Sequence, residues 1–337
     1  MKVFRRLFAA SAAAVVAMAS GVLVAHGDTT PSVYTTPGGQ ISNGRLWNTT
    51  CEKYSSNVVR CRTDTWATTV TYRNGRYVQK TGWTFNNLSY LSSPRASWAT
   101  NNLGKNNPNW TSGGRQWKTE CDTSTTGQGG CRTYMWVKTV QAVKSGSGYT
   151  YVNKGAWMFN NLVLFSSSTL PAVTKVPSWI IDQSRLSFTG LGPLQVGASV
   201  KDLTTLGYLV YPNPFCSGGY GESQSLLNRG IDVRDGNGPT VVDVSVWTKG
   251  VRTVDGAQVG MTLGQLKGIY GSGLLLEEKY DVPGDSQVST AVVRSGGNEL
   301  VFIFDVGVDL EDPLKDSDVM DMMIARPISS NLTYDGC

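Results

Sequence analysis

The sequence predicts a mostly β protein with an α+β second half, and three observations predict this class. Cys, Trp and Phe-Asn-Asn-Leu landmarks return after 70 to 74 residues. Apolar and polar residues alternate in runs separated by Asn-Gly and Ser-Gly turns, as in antiparallel strands. Two helix-start signals follow, both beyond residue 190. We therefore expect an N-terminal duplicated, cystine-stapled antiparallel β module and a C-terminal α+β domain of two helix-plus-hairpin repeats.

Residues 1–27 have the features of a signal peptide. Basic residues precede an apolar run over 7–25, and the small residues Ala25 and Gly27 fit a signal peptidase site. A transmembrane anchor is the alternative, but the run is thinly hydrophobic and lacks a charged stop. A pair of arginines leaves general and twin-arginine export both open. We expect an extracellular, secreted protein with residues 28–41 as a flexible leader and no integral membrane segment after cleavage.

Cleavage of the leader would remove the only histidine, His26. Its loss excludes Ser-His-Asp and Cys-His catalysis and His-ligated zinc. No later lysine follows a serine by three positions, which also excludes a Ser-x-x-Lys hydrolase. We expect a non-enzymatic protein with no catalytic residue, no metal and no cofactor.

Six cysteines, an even number, fit disulfide bonds in an exported protein. The repeat selects among the 15 possible pairings, because equivalent cysteines of a duplicated unit pair in the same way. The absence of Cys-x-x-Cys spacing argues against metal-bound thiols. The predicted disulfides are Cys51 to Cys61, Cys121 to Cys131 and Cys216 to Cys337.

Each repeat unit predicts three strands. In the first unit an alternating run from Trp66 to Tyr72 meets the turn at Asn74-Gly75, and strands over 77–80 and 83–88 follow. The second unit repeats this order around a Ser-Gly-Ser-Gly turn at 145–148. We expect two three-stranded sheets that pack on each other across residues 42–180, with halves at about 42–100 and 112–180.

Nine of the ten tryptophans lie in this β module, which raises the hypothesis of glycan binding by stacking. Six recur at equivalent positions beside cystines and on strands, where a core role is the stronger interpretation. Trp110 has no repeat partner and lies in the polar connector 101–114, so we expect it to be an exposed contact. The six repeated positions are Trp47, Trp66, Trp83, Trp117, Trp136 and Trp157.

The two parts of the chain differ in the sign of their net charge. Residues 28–180 carry 16 Lys and Arg against 5 Asp and Glu, whereas residues 181–337 carry 11 against 20. Such a basic module favours an anionic partner, although solubility or attraction between the two halves could also explain it. No nucleic-acid motif accompanies the charge, so an anionic envelope polymer or glycan is the expected partner and nucleic acid is not. The candidate binding residues are Trp110, Arg62, Arg115, Lys118 and Arg132.

The acidic half, residues 181–337, carries a second and weaker duplication. The run 194–203 matches 257–266, and each copy opens a helix with a cap at Ser199 or Thr262 and a glycine near its end. Strands are expected at 240–247, 277–280, 288–293, 300–304 and 319–326, which would form an antiparallel sheet with helices on one face.

This helix-then-hairpins pattern, led by Val-Gly-Met-Thr at 259–262, resembles the tandem-repeat fold of secreted β-lactamase-inhibitor proteins and, more distantly, small outer-membrane assembly lipoproteins. The run from Gly256 through Lys-Tyr-Asp-Val-Pro-Gly at 279–284 to the closing Tyr-Asp-Gly-Cys resembles uncharacterised exported two-domain proteins of actinobacteria. The repeated Trp, Cys-Arg-Thr and Phe-Asn-Asn-Leu unit resembles a module of the same proteins. The resemblance implies the fold of the acidic half and export, and it names no substrate.

The sequence thus favours a secreted, non-enzymatic binding protein, with the basic module on an envelope polymer or glycan and the acidic half on a secreted protein. The alternatives are a proteinaceous inhibitor of a secreted hydrolase and a carboxylate-dependent glycan hydrolase. Seven acidic residues over 305–321 could bind Ca²⁺, but they do not match an EF-hand, and a solvated acidic loop is the stronger interpretation.

Overall fold

A computed structural model describes residues 32–126, 129–213, 219–282, 286–304 and 314–330. The predicted signal peptide lies outside these ranges, as do Cys216 and Cys337. The other two predicted disulfides are present, Cys51–Cys61 and Cys121–Cys131. The described chain is mostly β, as its composition and alternation predict.

The N-terminal part forms one eight-stranded sheet rather than two three-stranded sheets. The order is β1-β2-β3-β4-β8-β7-β6-β5, and every neighbouring pair is antiparallel except β4 with β8 at the centre. The strands predicted at 77–80 and 83–88 are one continuous strand, β4. The prediction separates them at Gly82 because a glycine often interrupts a strand. The strands are β1 (Gly38–Ser42), β2 (Arg45–Ser55), β3 (Val58–Arg73), β4 (Arg76–Ser93), β5 (Asn107–Ser112), β6 (Arg115–Cys121), β7 (Gly130–Ser145) and β8 (Gly148–Phe165).

The parallel β4–β8 pair turns the two halves to opposite faces of the sheet. Leu88 pairs with Asn161, and residues paired in a ladder point to the same face. Leu162, which matches Leu88 in sequence, pairs with Ser89 and so points to the other face. The two disulfides follow the same rule, because one packs with Leu91 and the other with Val163 in separate core clusters.

The predicted turns are present. Asn74 and Gly75 both have positive φ, 49° and 78°, as the two central residues of a type I′ hairpin require. Gly146, in the second predicted turn, has φ 59°. The turns therefore set the register of the β3–β4 and β7–β8 hairpins.

The C-terminal part combines short helices with a six-stranded antiparallel sheet of order β14-β15-β19-β18-β17-β16. Two small sheets precede it, β11-β10-β9 and β12-β13. The elements are α1 (Ile180–Gln183), β9 (Leu186–Ser187), β10 (Gly190–Leu191), β11 (Leu194–Gln195), α2 (Val200–Leu206), β12 (Leu209–Val210), β13 (Gly221–Glu222), α3 (Gln224–Leu227), β14 (Ile231–Arg234), β15 (Asp243–Val246), α4 (Leu263–Tyr270), β16 (Leu275–Val282), β17 (Ser286–Ser295), β18 (Asn298–Phe304) and β19 (Met320–Pro327).

Both predicted helices begin at the predicted caps. The Ser199 side chain accepts a hydrogen bond from a backbone N–H in the first turn of α2, and Gly207 ends that helix in the left-handed conformation. Thr262 and Gln265 form a reciprocal capping box at the start of α4. Both helices bury leucines against one face of the six-stranded sheet, where Phe302 and Phe304 lie in the same core cluster.

The basic and acidic parts touch through β1. The Tyr208 hydroxyl donates to the carbonyl oxygen of Gly39 in β1 at 2.7 Å, and the side chain of Leu206 lies close to the same glycine. The expectation of a flexible leader over 28–41 is therefore wrong at its end, because residues from Gly38 onward form a strand that packs against the acidic part.

Candidate functional site

Two hairpin arms extend beyond the eight-stranded sheet. Arm 1 is residues 66–83 of β3 and β4, and arm 2 is residues 136–157 of β7 and β8. In the sheet ladders, β2 leaves β3 at Thr65 and β6 leaves β7 at Met135, while β4 meets β8 only from Leu88 onward. Each arm is therefore a two-stranded ribbon with both faces outside the sheet.

The arms carry most of the exposed aromatic rings of the module. Trp66 packs edge-on against Trp83 with ring centroids 5.4 Å apart, and Trp136 against Trp157 at 5.3 Å. Trp66, Trp83 and Trp136 are 38%, 37% and 40% exposed, and Trp157 is half-buried. The predicted core role is thus wrong for the three exposed tryptophans, because no second layer covers a two-stranded ribbon. It is confirmed for Trp47, which is buried.

The arms are also uniformly basic. Arm 1 contains Arg73, Arg76 and Lys80, arm 2 contains three lysines, and neither contains an Asp or Glu. The side chains of Arg76 and Lys80 are exposed, as are all three lysines of arm 2. An acid-free ribbon with six cations creates a local positive potential that attracts anions.

The acidic residues of the N-terminal part lie in ion pairs outside the arms. These pairs are in the eight-stranded sheet and its adjoining loops, which form the base of the two arms. Four acids fall within the described residues of this part, and each contacts an arginine or lysine of the same module. Among the described residues, no ion pair joins the basic module to the acidic part, which weakens mutual attraction as the reason for the charge division. The four pairs are Glu52–Arg60, Asp64–Arg62, Glu120–Lys118 and Asp122–Arg95.

The structure distributes the five predicted binding residues over three places. Lys118 and Arg132 lie on one face of the second half, and Lys118 bonds Glu120 at 2.7 Å. Arg132 lies 5.1 Å from the centre of the Phe159 ring. Arg62 makes the equivalent contact with Phe85 at 4.9 Å in the other half, on the opposite face of the sheet.

Trp110 and Arg115 form the third place, at the outer edge of the sheet. The prediction of a connector is wrong here, because Trp110 lies in β5 and stacks on Trp117 at 5.4 Å with its indole N–H donating to Thr119. Trp110 is half-buried rather than fully exposed, and Arg115 contacts the Met135 sulfur at 3.2 Å. The sequence-predicted residues therefore do not form one site, and the arms hold the larger exposed surface.

The sequence did not predict a charged ladder across the six-stranded sheet. Arg234, Asp243, Arg326, Glu299 and Arg294 alternate in sign along successive strands. Glu299 is 1% exposed and accepts from Arg326 at 2.7 Å and Arg294 at 2.9 Å. A buried charge of each sign thus has its partner, as buried ions require. The charges of the ladder pair with one another, so the ladder contributes to the stability of the fold.

A pair of carboxylates lies beside this ladder. Glu222 and Asp232 both accept from the backbone N–H of Val233 at 2.9 Å. Burial and the neighbouring Asp232 raise the pKa of Glu222 to about 8. Two carboxylates that share one proton near neutral pH occur in some active sites. Here the backbone N–H of Val233 and the edge of the six-stranded sheet lie against the two carboxylates.

The acidic run over 305–321 falls mostly outside the described residues. Within the described part, Asp316 bonds Lys267 at 2.6 Å and Asp318 accepts from the backbone N–H of Lys315 at 2.7 Å. No cluster of three metal-ligating side chains occurs in the ranges that the structure describes.

No described helix is long and apolar enough to cross a membrane. No family model, curated protein or solved structure matches this chain. The assignment of function therefore depends on the chain's own geometry.

Proposed function

We propose that this chain is a secreted, non-enzymatic binding protein. Its basic N-terminal part attaches to an anionic cell-envelope polymer or glycan, and its acidic C-terminal part contacts another protein. The observation that carries the proposal is the pair of arms, which expose aromatic rings together with cations that have no acidic residue on the same ribbon.

Two further features support this proposal. Two disulfides fit an oxidising compartment, as expected outside the cell. The two halves of the sheet have the same strand order and the same position of the cystine, which supports a duplicated unit with two equivalent arms. Two arms on one rigid base give two attachments to one polymer, which increases apparent affinity.

The test is co-sedimentation of the purified protein with Gram-positive cell walls, with and without their anionic polymers, from about 50 mM to about 500 mM salt. We expect retention that falls as salt rises. A triple variant of arm 2 should be retained less, whereas a charge-matched triple variant of exposed cations in the acidic part should behave like the unmodified protein. The arm variant is K138Q, K144Q and K154Q, and the control is K201Q, K249Q and R252Q.

Equal loss in both variants would show that net charge alone causes retention and would overturn the role of the arms. Absence of retention at every salt concentration would overturn envelope attachment altogether. Stoichiometric inhibition of a secreted hydrolase would instead support the inhibitor alternative, and turnover of a glycan would support the hydrolase alternative.

A further inference from the structure

The tryptophans of arm 1 lie on the same face as its tip tyrosines. Alternate residues of a strand share a face, so Trp83, Thr81, Gln79 and Tyr77 point the same way. Contacts across the ribbon agree with this pattern, because the hydroxyls of Thr68 and Thr81 bond at 2.7 Å. One face of arm 1 therefore runs from a tryptophan pair to the tip over about 20 Å.

Arm 2 has the same arrangement. Trp157, Gly155 and Tyr151 share a face, and the Trp136 ring rests on Gly155. Tyr151 follows Tyr77 by 74 residues, the spacing that also relates Trp157 to Trp83. The tyrosines are thus equivalent positions of the two arms.

These equivalent tyrosines meet. The rings of Tyr77 and Tyr151 are 4.8 Å apart, the Tyr77 hydroxyl donates to the carbonyl oxygen of Tyr151 at 3.3 Å, and Gln79 donates to the Tyr151 hydroxyl. Since each tyrosine lies on the tryptophan face of its own arm, these two faces meet at the arm tips. Where the arms leave the eight-stranded sheet, these two faces lie on opposite sides of it. The twist that accumulates along each ribbon rotates them, so that they meet at the tips.

The tryptophans of both arms remain accessible to solvent. Among the described rings, the tyrosine contact at the tips is the only one that joins the two arms. The tryptophan pairs keep the exposure given above, so they do not close on each other as a core would. The arms thus contact each other at their tips and leave the indoles nearer the sheet accessible.

We propose that the two arms, joined at their tips, form a clamp that binds a chain of anionic sugars on the indoles of Trp66, Trp83, Trp136 and Trp157. This inference rests on the proposed function and names its ligand. Indole faces offer flat, amphipathic area on which the C–H faces of sugar rings stack. The six cations and the lack of acids on the arms match a carboxylate- or phosphate-bearing glycan better than a neutral one.

The test is affinity electrophoresis of the purified protein with polygalacturonate, a phosphomannan and neutral dextran, and co-flotation with phosphatidylglycerol vesicles. The test variant is W83A/W157A, and the control is W247A, which removes an exposed tryptophan outside the arms. We expect at least tenfold weaker binding of an anionic polymer by the double variant, unchanged binding by the control, and little binding of dextran. The two anionic polymers distinguish a carboxylate ligand from a phosphate ligand.

Binding by the double variant at the unmodified level would overturn the clamp, and so would binding to vesicles without binding to either anionic polymer. If the double variant does not fold, W83Y/W157Y keeps flat rings and should retain most of the affinity, whereas W83L/W157L should lose it. Cell-wall retention of the same variants separates the two proposals. If W83A/W157A keeps salt-sensitive retention on cell walls, the clamp is contradicted and envelope attachment stands. If the unmodified protein is not retained at all, both proposals are contradicted.

Discussion

The seat of Trp136 on Gly155 gives a sharp test of arm 2. A Cβ added at Gly155 would lie 2.4 Å from one indole carbon of Trp136 and 3.0 Å from another. At Gly82, the matching position of arm 1, an added Cβ meets nothing within 4 Å. Neither glycine has a positive φ, so alanine fits the backbone at both positions.

The expected energies follow from these distances. In Gly82→Ala the smaller entropy of the unfolded chain stabilises the protein by about 0.5 kcal/mol. In Gly155→Ala the same gain is opposed, because the Trp136 ring must move by about 1 Å to restore ordinary contact, which costs about 1 to 3 kcal/mol. Displacement would also weaken the Trp136–Trp157 pair, which contributes about 1 kcal/mol. The entropic gain is the same in both variants, so we expect Gly155→Ala to be about 1 to 4 kcal/mol less stable than Gly82→Ala.

Urea unfolding of the two variants measures this difference, and the near-ultraviolet circular dichroism of the tryptophan pair reports the displacement. If the clamp operates, Gly155→Ala also weakens binding of the anionic polymer, while Gly82→Ala leaves it unchanged. Equal stability, equal spectra and equal binding in the two variants would refute the seating of Trp136 on Gly155.

Three further predictions concern the base and the acidic part. Glu299→Gln leaves Arg326 with an incompletely paired buried charge and should lower the free energy of unfolding by about 3 to 5 kcal/mol, against less than about 1 kcal/mol for the exposed Asp182→Asn, as measured by urea titration. Because the pKa of Glu222 is higher in the folded protein than in the unfolded chain, stability should fall as the pH rises from about 4.5 to 8, and this fall should be smaller in Glu222→Gln, as measured by unfolding at pH 5, 7 and 9. Reduction of the two short disulfides should destabilise the β module by about 3 kcal/mol each, and an unchanged melting temperature under reductant would contradict this.

The sequence predicts the local features of the fold well, because each depends on near neighbours in the chain. The Asn74-Gly75 turn, the cap at Thr262 and the Cys51–Cys61 pairing are all present. Ser199 also caps its helix as predicted. Turn chemistry, capping and cross-strand pairing need only a few residues, so a single sequence contains the information.

Long-range features could not be predicted in the same way. The parallel β4–β8 pair joins segments about 74 residues apart, and periodicity does not show which strands become neighbours. The ladder that includes Glu299 and Arg326 likewise depends on strand order. Trp83 and Trp136 alternate like core residues, and only the absence of a covering layer in the structure shows that they are exposed.

The form of the arms argues for a role beyond folding. A two-stranded ribbon is marginally stable in water, and it gains little from tryptophans that remain 37% to 40% exposed. The chain supports each ribbon at its base with a cystine-stapled sheet and at its tip with the Tyr77–Tyr151 contact, so the indoles between these two supports are held in place without being buried. Rings that are positioned in advance lose less conformational freedom when a ligand binds. A fold under selection for stability alone would shorten the hairpins or bury their rings, whereas the proposed clamp requires both long hairpins and accessible rings.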